Sequence, residues 1–209
     1  MKEFISHFKF IHKLTFVPRF IRQFFYLWFN RLMFISAGAT VGRGFKVINR
    51  MYLKLYRGGS LIIGDNVTIT SGEAINPIAK NIKGCIFVDN NASLVIGDNV
   101  GMSSPTIWCA DSIKIGNNVK LGGVVTILDT DCHSLNYLYR RPGGDDRGNT
   151  VSRPVVIEED VLIGAHAIIL KGSHIGARSV IGAGSVVSGN IPADCIAAGN
   201  PCKMIKNLI

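Results

Sequence analysis

The sequence predicts an all-β solenoid whose straight segments stand six residues apart, preceded by a helical appendage and interrupted by one long loop. Three observations carry this expectation. Ile157, Ile163, Ile169, Ile175, Ile181 and Val187 follow one another at intervals of six without a break. Gly164, Gly176 and Gly182 each follow one of these aliphatics, and small residues recur four places after several of them, at Ala167, Ser173, Ser179 and Ser185. An Ile-Gly-Asp/Asn-Asn run appears at Ile63, Ile96 and Ile115. A helix buries positions three and four apart and a half-buried strand every second one, so a period of six fits neither. It fits a coil in which one aliphatic per short segment points into a narrow prism. Gly and Asn then accept the left-handed backbone that sharp corners require.

Composition agrees with a turn-rich β protein. The chain has 209 residues, 47% of them hydrophobic, and 23 glycines, which argues against disorder and for one large domain or one domain with an appendage. The net charge of +9 is unevenly placed. Residues 1 to 60 hold eleven Lys/Arg against the single acid Glu3, while the rest of the chain holds twelve against thirteen. The basic residues come without a nucleic-acid recognition motif and are interleaved with Phe, a pattern that suits membranes better than nucleic acid. The five cysteines, Cys85, Cys109, Cys132, Cys195 and Cys202, form no CxxC pair. Neither a disulfide nor a zinc framework follows, and reduced cysteines in a cytoplasmic protein are expected. No signal-peptide pattern opens the chain.

Residues 1 to 36 form the appendage. Nine of the eleven phenylalanines lie within the first 34 residues, and Arg19 to Ser36 reads RFIRQFFYLWFNRLMFIS. As a helix, Arg19, Arg22, Tyr26 and Asn30 line one face, while Phe20, Phe24, Leu27, Phe29 and Leu32 cover much of the rest. Arg22 and Arg31 interrupt it, so no apolar run is long enough to cross a membrane. Two readings stand: a helix lying in the surface of an anionic membrane at the inner face of the cytoplasmic membrane, or a helix that caps the end of the solenoid or packs between subunits.

Residues 37 to 191 form the solenoid. The six-step begins at Val41 and Val47, becomes irregular through Arg57-Gly58-Gly59, and resumes at Ile63, Ile69 and Ile75. Residues 76 to 90 break phase and are expected to bulge. Ile96 restarts the pattern, with Met102 and Trp108 in phase, and Ile115 restarts it again, with Leu121, Ile127 and His133 following. From Ile96 to Ile115 the spacing is one more than three hexads, which implies an extruded residue at a corner. Residues 134 to 156, SLNYLYRRPGGDDRGNTVSRPVV, form an excursion loop, and residues 192 to 209 a C-terminal tail. A long loop in a solenoid usually serves function.

Three passages, ILDTDCHSL before the loop, VLIGAHAIILKGSHIGARSVIGAGSVVSGNIP after it and AAGNPCKMI near the end, resemble the hexapeptide-repeat acyltransferases. Within them the sequence is most similar to sugar and polysaccharide O-acetyltransferases, the branch of galactoside and maltose acetyltransferases. The resemblance covers roughly residues 60 to 209 and is dense after residue 113. It implies a left-handed parallel β-helix, a homotrimer, acetyl-CoA bound in a cleft between subunits, a carbohydrate acceptor and no metal.

The resemblance also implies that His133 is the catalytic base. Transfer of an acetyl group to a hydroxyl needs one, and a neutral imidazole suits that task near pH 7. Asp131 is a candidate partner for its ring, or else a corner residue. A backbone N–H near Gly122 and Gly123 is the candidate oxyanion donor. Carried over by motif, Ala165 and Ala183 lie against the pantetheine arm and Ser188 near the nucleotide. Gly189 stands where relatives carry a lysine, and Lys203 fits a phosphate contact. Tyr139, Arg140 and Arg141 on the loop are candidate acceptor ligands, suited to a glycan, an acidic sugar or a lipid diphosphate. The related γ-class carbonic anhydrases hold zinc with three histidines on the same coil. Here His166 and His174 are eight apart, which is not a multiple of six and places them at different phases. The expected activity is O-acetylation of a sugar hydroxyl of a surface polysaccharide or its precursor. The alternatives are another small acceptor, such as serine or an amino sugar, and a non-catalytic scaffold.

Overall fold

The computed structural model describes the backbone of residues 2–72 and 75–208, with side chains described for Pro18 and from Phe20 onward. Its strands are distributed in strict rotation over three sheets, so that each three consecutive strands make one coil of a left-handed parallel β-helix. The sheets have seven, eight and six strands. The pairings between consecutive coils are parallel and, apart from a shift between Leu121 and Gly123 on the second sheet, in register, as in Ile115↔Ile157↔Ile175 on the first sheet and Ile127↔Ile169↔Val187 on the third.

The six-step is the inward direction. Ile157, Ile163, Ile169, Ile175, Ile181 and Val187 are all buried and join one continuous core that runs the length of the prism. Burying each such side chain contributes about 1.5–3 kcal/mol. The small residues between them are also buried: Ser173, Ser179 and Ser185 return their hydroxyls to the carbonyls of Leu170, Pro192 and Gly182 at 2.6–2.7 Å. A larger residue at these corners would not fit the taper, and an unpaired hydroxyl would be costly.

The repeated Ile-Gly-Asp/Asn-Asn run makes the corner between the first and second sheets. Asn66, Asn99 and Asn118 adopt φ of 57°, 59° and 60°, the left-handed conformation Asn tolerates. Stacked at that corner, they form a side-chain ladder, each Nδ2 donating to the next oxygen: Asn66 to Asn99 at 3.3 Å, Asn99 to Asn118 at 3.2 Å and Asn118 to Asp160 at 3.0 Å. The motif recurs because each copy satisfies the one below it.

Two departures from the expected phase matter later. Trp108 does not point inward: Ile107 is fully buried and registers with Ile127, while Trp108 is 38% exposed and registers with Leu128. Only five residues separate the inward Met102 from Ile107, because the corner at Ser103–Pro105 is short, and the missing length reappears before Ile115. The step from Ile107 to Ile115 is therefore two residues longer than a hexad, one making up for the short corner and one extruded. The C-terminal segment is also no loose tail. Cys195–Gly199 continues the second sheet, and Cys202–Asn207 pairs antiparallel with it and covers its edge.

Two segments leave the coil. One lies between Thr70 and Cys85 and contains a short 3-10 turn, Pro77–Ala79. The other, between Leu128 and Val155, leaves at the corner joining the third sheet to the first.

Helix α1, Lys2–Ser36, packs by its last turns on the first coil. Asn30 is fully buried and donates through Nδ2 to the carbonyls of Val47 (3.2 Å) and Asn49 (2.7 Å), and Phe34 meets Phe45 edge-on with centroids 5.1 Å apart. The row expected to be a polar face is thus corrected at Asn30, which turns toward the solenoid. Its amide supplies donors to carbonyls that the first coil has no preceding strand to satisfy. The side chain of Arg19, in the same row, lies outside the described residues. Away from this contact, Trp28, Leu32 and Ile35 on the far side of α1 and Phe20 and Phe24 on its flank are exposed.

Candidate active site

The strand Thr126–Leu128 lies within the third sheet, between Thr106–Cys109 and Ile168–Ile169, and the five residues after it build a rigid corner before the chain leaves the coil. Asp129 is completely buried and accepts the backbone N–H groups of Ala110 (2.6 Å) and Asp111 (2.9 Å) from the coil below. Burial pushes its carboxyl up despite these two donors. Its own carbonyl accepts Arg153 N at 2.8 Å, which pins the far end of the excursion loop. Cys132 takes a left-handed φ of 63° and reverses the chain, leaving the His133 side chain 72% exposed at the mouth of a cavity.

His133 is held from the loop. Asp146 Oδ2 lies 2.6 Å from Nδ1, and Asp146 Oδ1 accepts the Ser134 N–H at 2.7 Å. Hydrogen bonding to His133, and then to the Ser134 amide, draws the Asp146 carboxyl below the usual carboxylate range. An ionised carboxylate only accepts, so Nδ1 carries the proton and the neutral ring keeps its lone pair on Nε2. No partner of Nε2 occurs among the described residues. The loop is folded back to achieve this. Arg140 donates to the Ser134 carbonyl, Thr150 Oγ1 to the Asp146 carbonyl at 3.0 Å, and Asp131 N to Val151 O at 3.1 Å.

Asp131 does not orient the imidazole. Its Oδ2 stands 3.2 Å from Lys171 Nζ, with both side chains mostly buried. The contact is an ion pair whose angles do not make a hydrogen bond. Lys171 belongs to the next coil at the same corner, so the pair clips the start of the loop to the solenoid.

The cavity beside His133 has a volume of about 560 Å³. Its walls come from coils on the N-terminal side of the base: Tyr56, Asp89, Asn90 and Trp108, with Asp146 and Arg147 from the loop. Asp89 Oδ2 accepts the Trp108 indole N–H at 2.8 Å, and Phe87 packs against the same indole at 6.3 Å. The ring plane is therefore fixed from the edge and from the neighbouring strand. An immobile aromatic face beside carboxylate and amide oxygens suits the apolar face and hydroxyls of a sugar ring. Cys132 also lines the cavity. Burial first, then Asp131 and Asp129, push its thiol up, which disfavours the thiolate that a nucleophile needs.

The other candidate residues fall into separate groups. Ala165 and Ala183 stack at the corner between the second and third sheets. A Cβ on Gly122 would come within 2.6 Å of Ala165 N, and one on Gly164 within 2.4 Å of Ala183 N, so these corners touch backbone to backbone. Lys203 pairs with Ala198, which registers beside Gly182, so it extends the same line of small residues. Ser188 and Gly189 lie instead at the corner that carries His133. Gly122 and Gly123 are on the line of Ala165, not beside His133. Tyr139, Arg140 and Arg141 do not line the cavity: Arg140 is bound to Ser134, and Arg141 stacks over Tyr137 at 4.8 Å. His174 pairs with Glu158 at 2.8 Å, and His166 sits exposed at another corner. Among the described residues, no group of three His, Cys, Asp or Glu is placed to hold a metal ion.

Sequence reasoning reached His133 but not Asp146, Trp108 or Asp89. Four carboxylates flank His133 within the loop region, and no spacing says which one folds back to it. Trp108 was counted as a core position because the shortened corner before it leaves no mark in a six-step count.

Residues 154–189 match the model of the bacterial transferase hexapeptide, six repeats. Over 147 residues the chain is 36% identical to a galactoside O-acetyltransferase of Lactococcus lactis subsp. lactis (strain IL1403), covering 70% of this chain and 62% of that protein. A crystal structure of a hexapeptide-repeat-containing acetyltransferase from Vibrio cholerae superposes with a TM-score of 0.50 at 33% identity, over 56% of this chain and 63% of that one. The polySia-specific acetyltransferase NeuO superposes with a TM-score of 0.54 at 26% identity, over 82% and 76%. The chain spans less than two thirds of the length of the curated relatives it matches, such as 62% and 45% of two galactoside O-acetyltransferases. With its rotation of parallel strands, buried six-step and matching repeats, the chain carries the fold and the repeats of the hexapeptide-repeat transferases.

Proposed function

We propose that the protein is an acetyl-CoA-dependent O-acetyltransferase that acetylates a sugar hydroxyl by direct transfer, with His133 as general base. The observation that carries this reading is the His133–Asp146 pair, which leaves Nε2 open beside a cavity walled by Trp108, Tyr56, Asp89 and Asn90. An acceptor hydroxyl placed on the Trp108 face gives its proton to Nε2 as its oxygen attacks the thioester carbonyl carbon. The imidazolium that forms is stabilised by Asp146, which keeps its own negative charge. Collapse of the tetrahedral intermediate breaks the C–S bond, and Nε2–H protonates the departing thiolate. Atoms and charge balance without a covalent enzyme intermediate.

On the donor side, Ala165 and Ala183 supply small side chains along one corner, with Lys203 exposed further along the line as a point charge for a phosphate. Ser188 and Gly189 belong to the His133 corner. Two corners of one prism separated by a sheet face are more simply joined across a neighbouring copy, which supports a homotrimer with acetyl-CoA between subunits. The acceptor we infer is a surface polysaccharide or its lipid-linked precursor, modified by a peripheral protein at the inner face of the cytoplasmic membrane. The aromatic cavity wall favours a sugar over serine.

The test is CoA release from acetyl-CoA with a panel of glycans and mass detection of the acetylated product, comparing wild type with His133→Ala. Glycan-dependent release that the substitution abolishes is expected. Full activity in the variant would remove His133 as base. No turnover of any acceptor by either protein would favour the scaffold.

A further inference from the structure

We propose that the outward face of α1 is a docking surface for an anionic lipid bilayer, with the groove between α1 and the strand Tyr52–Leu55 receiving a phosphate-bearing headgroup at its edge. This gives the proposed peripheral location a contact surface. The test below reads binding and not turnover, so the transferase reading stands or falls separately.

The orientation of α1 comes from its buried side. Asn30 and Phe34 fix that side against the first coil. At 100° per residue the opposite direction is occupied by Ile21, Phe25, Trp28, Leu32 and Ile35, with Phe24 and Phe20 on its flank; Phe20 is 71%, Trp28 66% and Leu32 61% exposed. A helix apolar on two opposed sides has one side unaccounted for by its own chain. No helix of the described residues is long and apolar enough to cross a membrane, so the face would lie in the interface. There Trp and Phe sit at headgroup depth, and cationic side chains on long stems reach the phosphates.

Charge selects the occupant. The region that carries this face holds eleven Lys/Arg against Glu3 within residues 1 to 60. A second copy laid on the same face would bring an equal excess of positive charge against it, whereas an anionic surface neutralises it. Beside the helix, a groove of about 260 Å³ is lined by Phe25, Tyr26, Phe29, Arg50 and Tyr52. Arg50 and Lys83 both stand over the Tyr52 ring, at 5.5 and 5.6 Å from its centroid. No carboxylate of the described residues pairs with either cation. Two cations at one exposed ring, neither neutralised by a carboxylate, make this edge of the groove attractive to an anion.

The sequence contains two tryptophans, Trp28 and Trp108. In the full-length Trp108→Phe protein, Trp28 is therefore the single reporter. Vesicles of phosphatidylcholine with about one third phosphatidylglycerol should blue-shift its emission, and brominated acyl chains should quench it, while pure phosphatidylcholine vesicles should do so far less. Replacing Phe20, Phe24 and Leu32 together by Ser should weaken sedimentation with the anionic vesicles by roughly tenfold or more. Arg50→Ala with Lys83→Ala should lower binding to anionic vesicles and leave the weak zwitterionic binding unchanged. Circular dichroism of each variant checks that the solenoid remains folded. Unchanged Trp28 emission with every vesicle would overturn the proposal. So would a triple-Ser variant that binds vesicles normally but has lost an oligomer seen by light scattering, which would make the face a contact between copies.

Discussion

Asp146 and not Asp131 orients His133: the Asp146 carboxylate lies 2.6 Å from Nδ1, while Asp131, two residues before the histidine, is paired with Lys171 at 3.2 Å. The carboxylate adjacent in sequence anchors the loop, and the one brought back by the loop serves the ring. The two therefore respond differently to substitution.

His133→Ala should lower kcat/KM by about 10²–10⁴-fold with little change in stability, since the ring is mostly exposed. Asp146→Asn should lower it by less, on the order of 10- to 10³-fold, because an amide can still hold Nδ1 but cannot stabilise the imidazolium. Steady-state kinetics with both substrates check this. An Asp146→Asn protein with wild-type kcat would remove Asp146 from the mechanism.

Lys171→Met should behave as a stability variant. It leaves the mostly buried Asp131 carboxylate without a counter-charge and should destabilise the protein by about 1–3 kcal/mol. Adding Asp131→Asn should recover part of that loss. Denaturant titration measures both. Activity per folded molecule should stay near wild type, and a collapse of kcat in folded Asp131→Asn would instead return Asp131 to the chemistry.

Trp108→Ala should raise KM for the acceptor by about tenfold, equivalent to about 1.4 kcal/mol of lost stacking, and leave KM for acetyl-CoA unchanged. Trp108→Phe keeps a ring but loses the bond to Asp89, so it should fall between the two. Equal effects on both substrates would place the indole elsewhere than the acceptor side.

The loop should be insensitive to pH through the neutral range and open in acid. Asp146 is held below its ordinary value near 3.9, first by His133 and then by the Ser134 amide. A carboxylate depressed in the folded state contributes stability that is present above the unfolded value and lost as pH falls through the folded one. Proteolysis at Arg140–Arg141 by an acid-tolerant protease, or hydrogen exchange of the loop, should show full protection at pH 5 that starts to decline below about pH 4 and is lost once the pH passes the depressed folded value. Asp146→Asn should show weaker protection that is the same at both pH values. Opening of the wild-type loop between pH 5 and 7 would contradict the assignment.

Gly164→Ala should cost about 1–3 kcal/mol, because the added Cβ would stand 2.4 Å from the backbone nitrogen of Ala183 in the next coil. A backbone atom held in a parallel ladder cannot retreat as a side chain can. A melting temperature equal to wild type would show that the corner is looser than the structure has it.

What the sequence reveals depends on how locally each feature is specified. The inward aliphatics from Ile157 to Val187 are readable because every coil repeats the same demand: one branched side chain per strand and a tight corner after it. The Asn66–Asn99–Asn118 ladder is readable for the same reason. The excursion and His133 are readable where the period stops. Trp108 was misplaced because a corner one residue shorter shifts the phase without changing composition. Asn30 was misplaced because helical periodicity says which residues share a face, but not what lies against that face.

The text alone specifies the solenoid, its interruption and a histidine at the break, since periodic burial and the place where the period stops are properties of the text. The tertiary structure alone decided which carboxylate holds His133, which aromatic side chain walls the cavity and which side of α1 is spent on the first coil. Each of these depends on contacts between segments whose separation follows no period. Asp146 reaches the ring across 13 residues of irregular loop, and Asp89 reaches Trp108 across 19 residues and one coil. Such contacts are set by how the whole chain packs, because no local preference distinguishes Asp146 from Asp131 until the loop has closed.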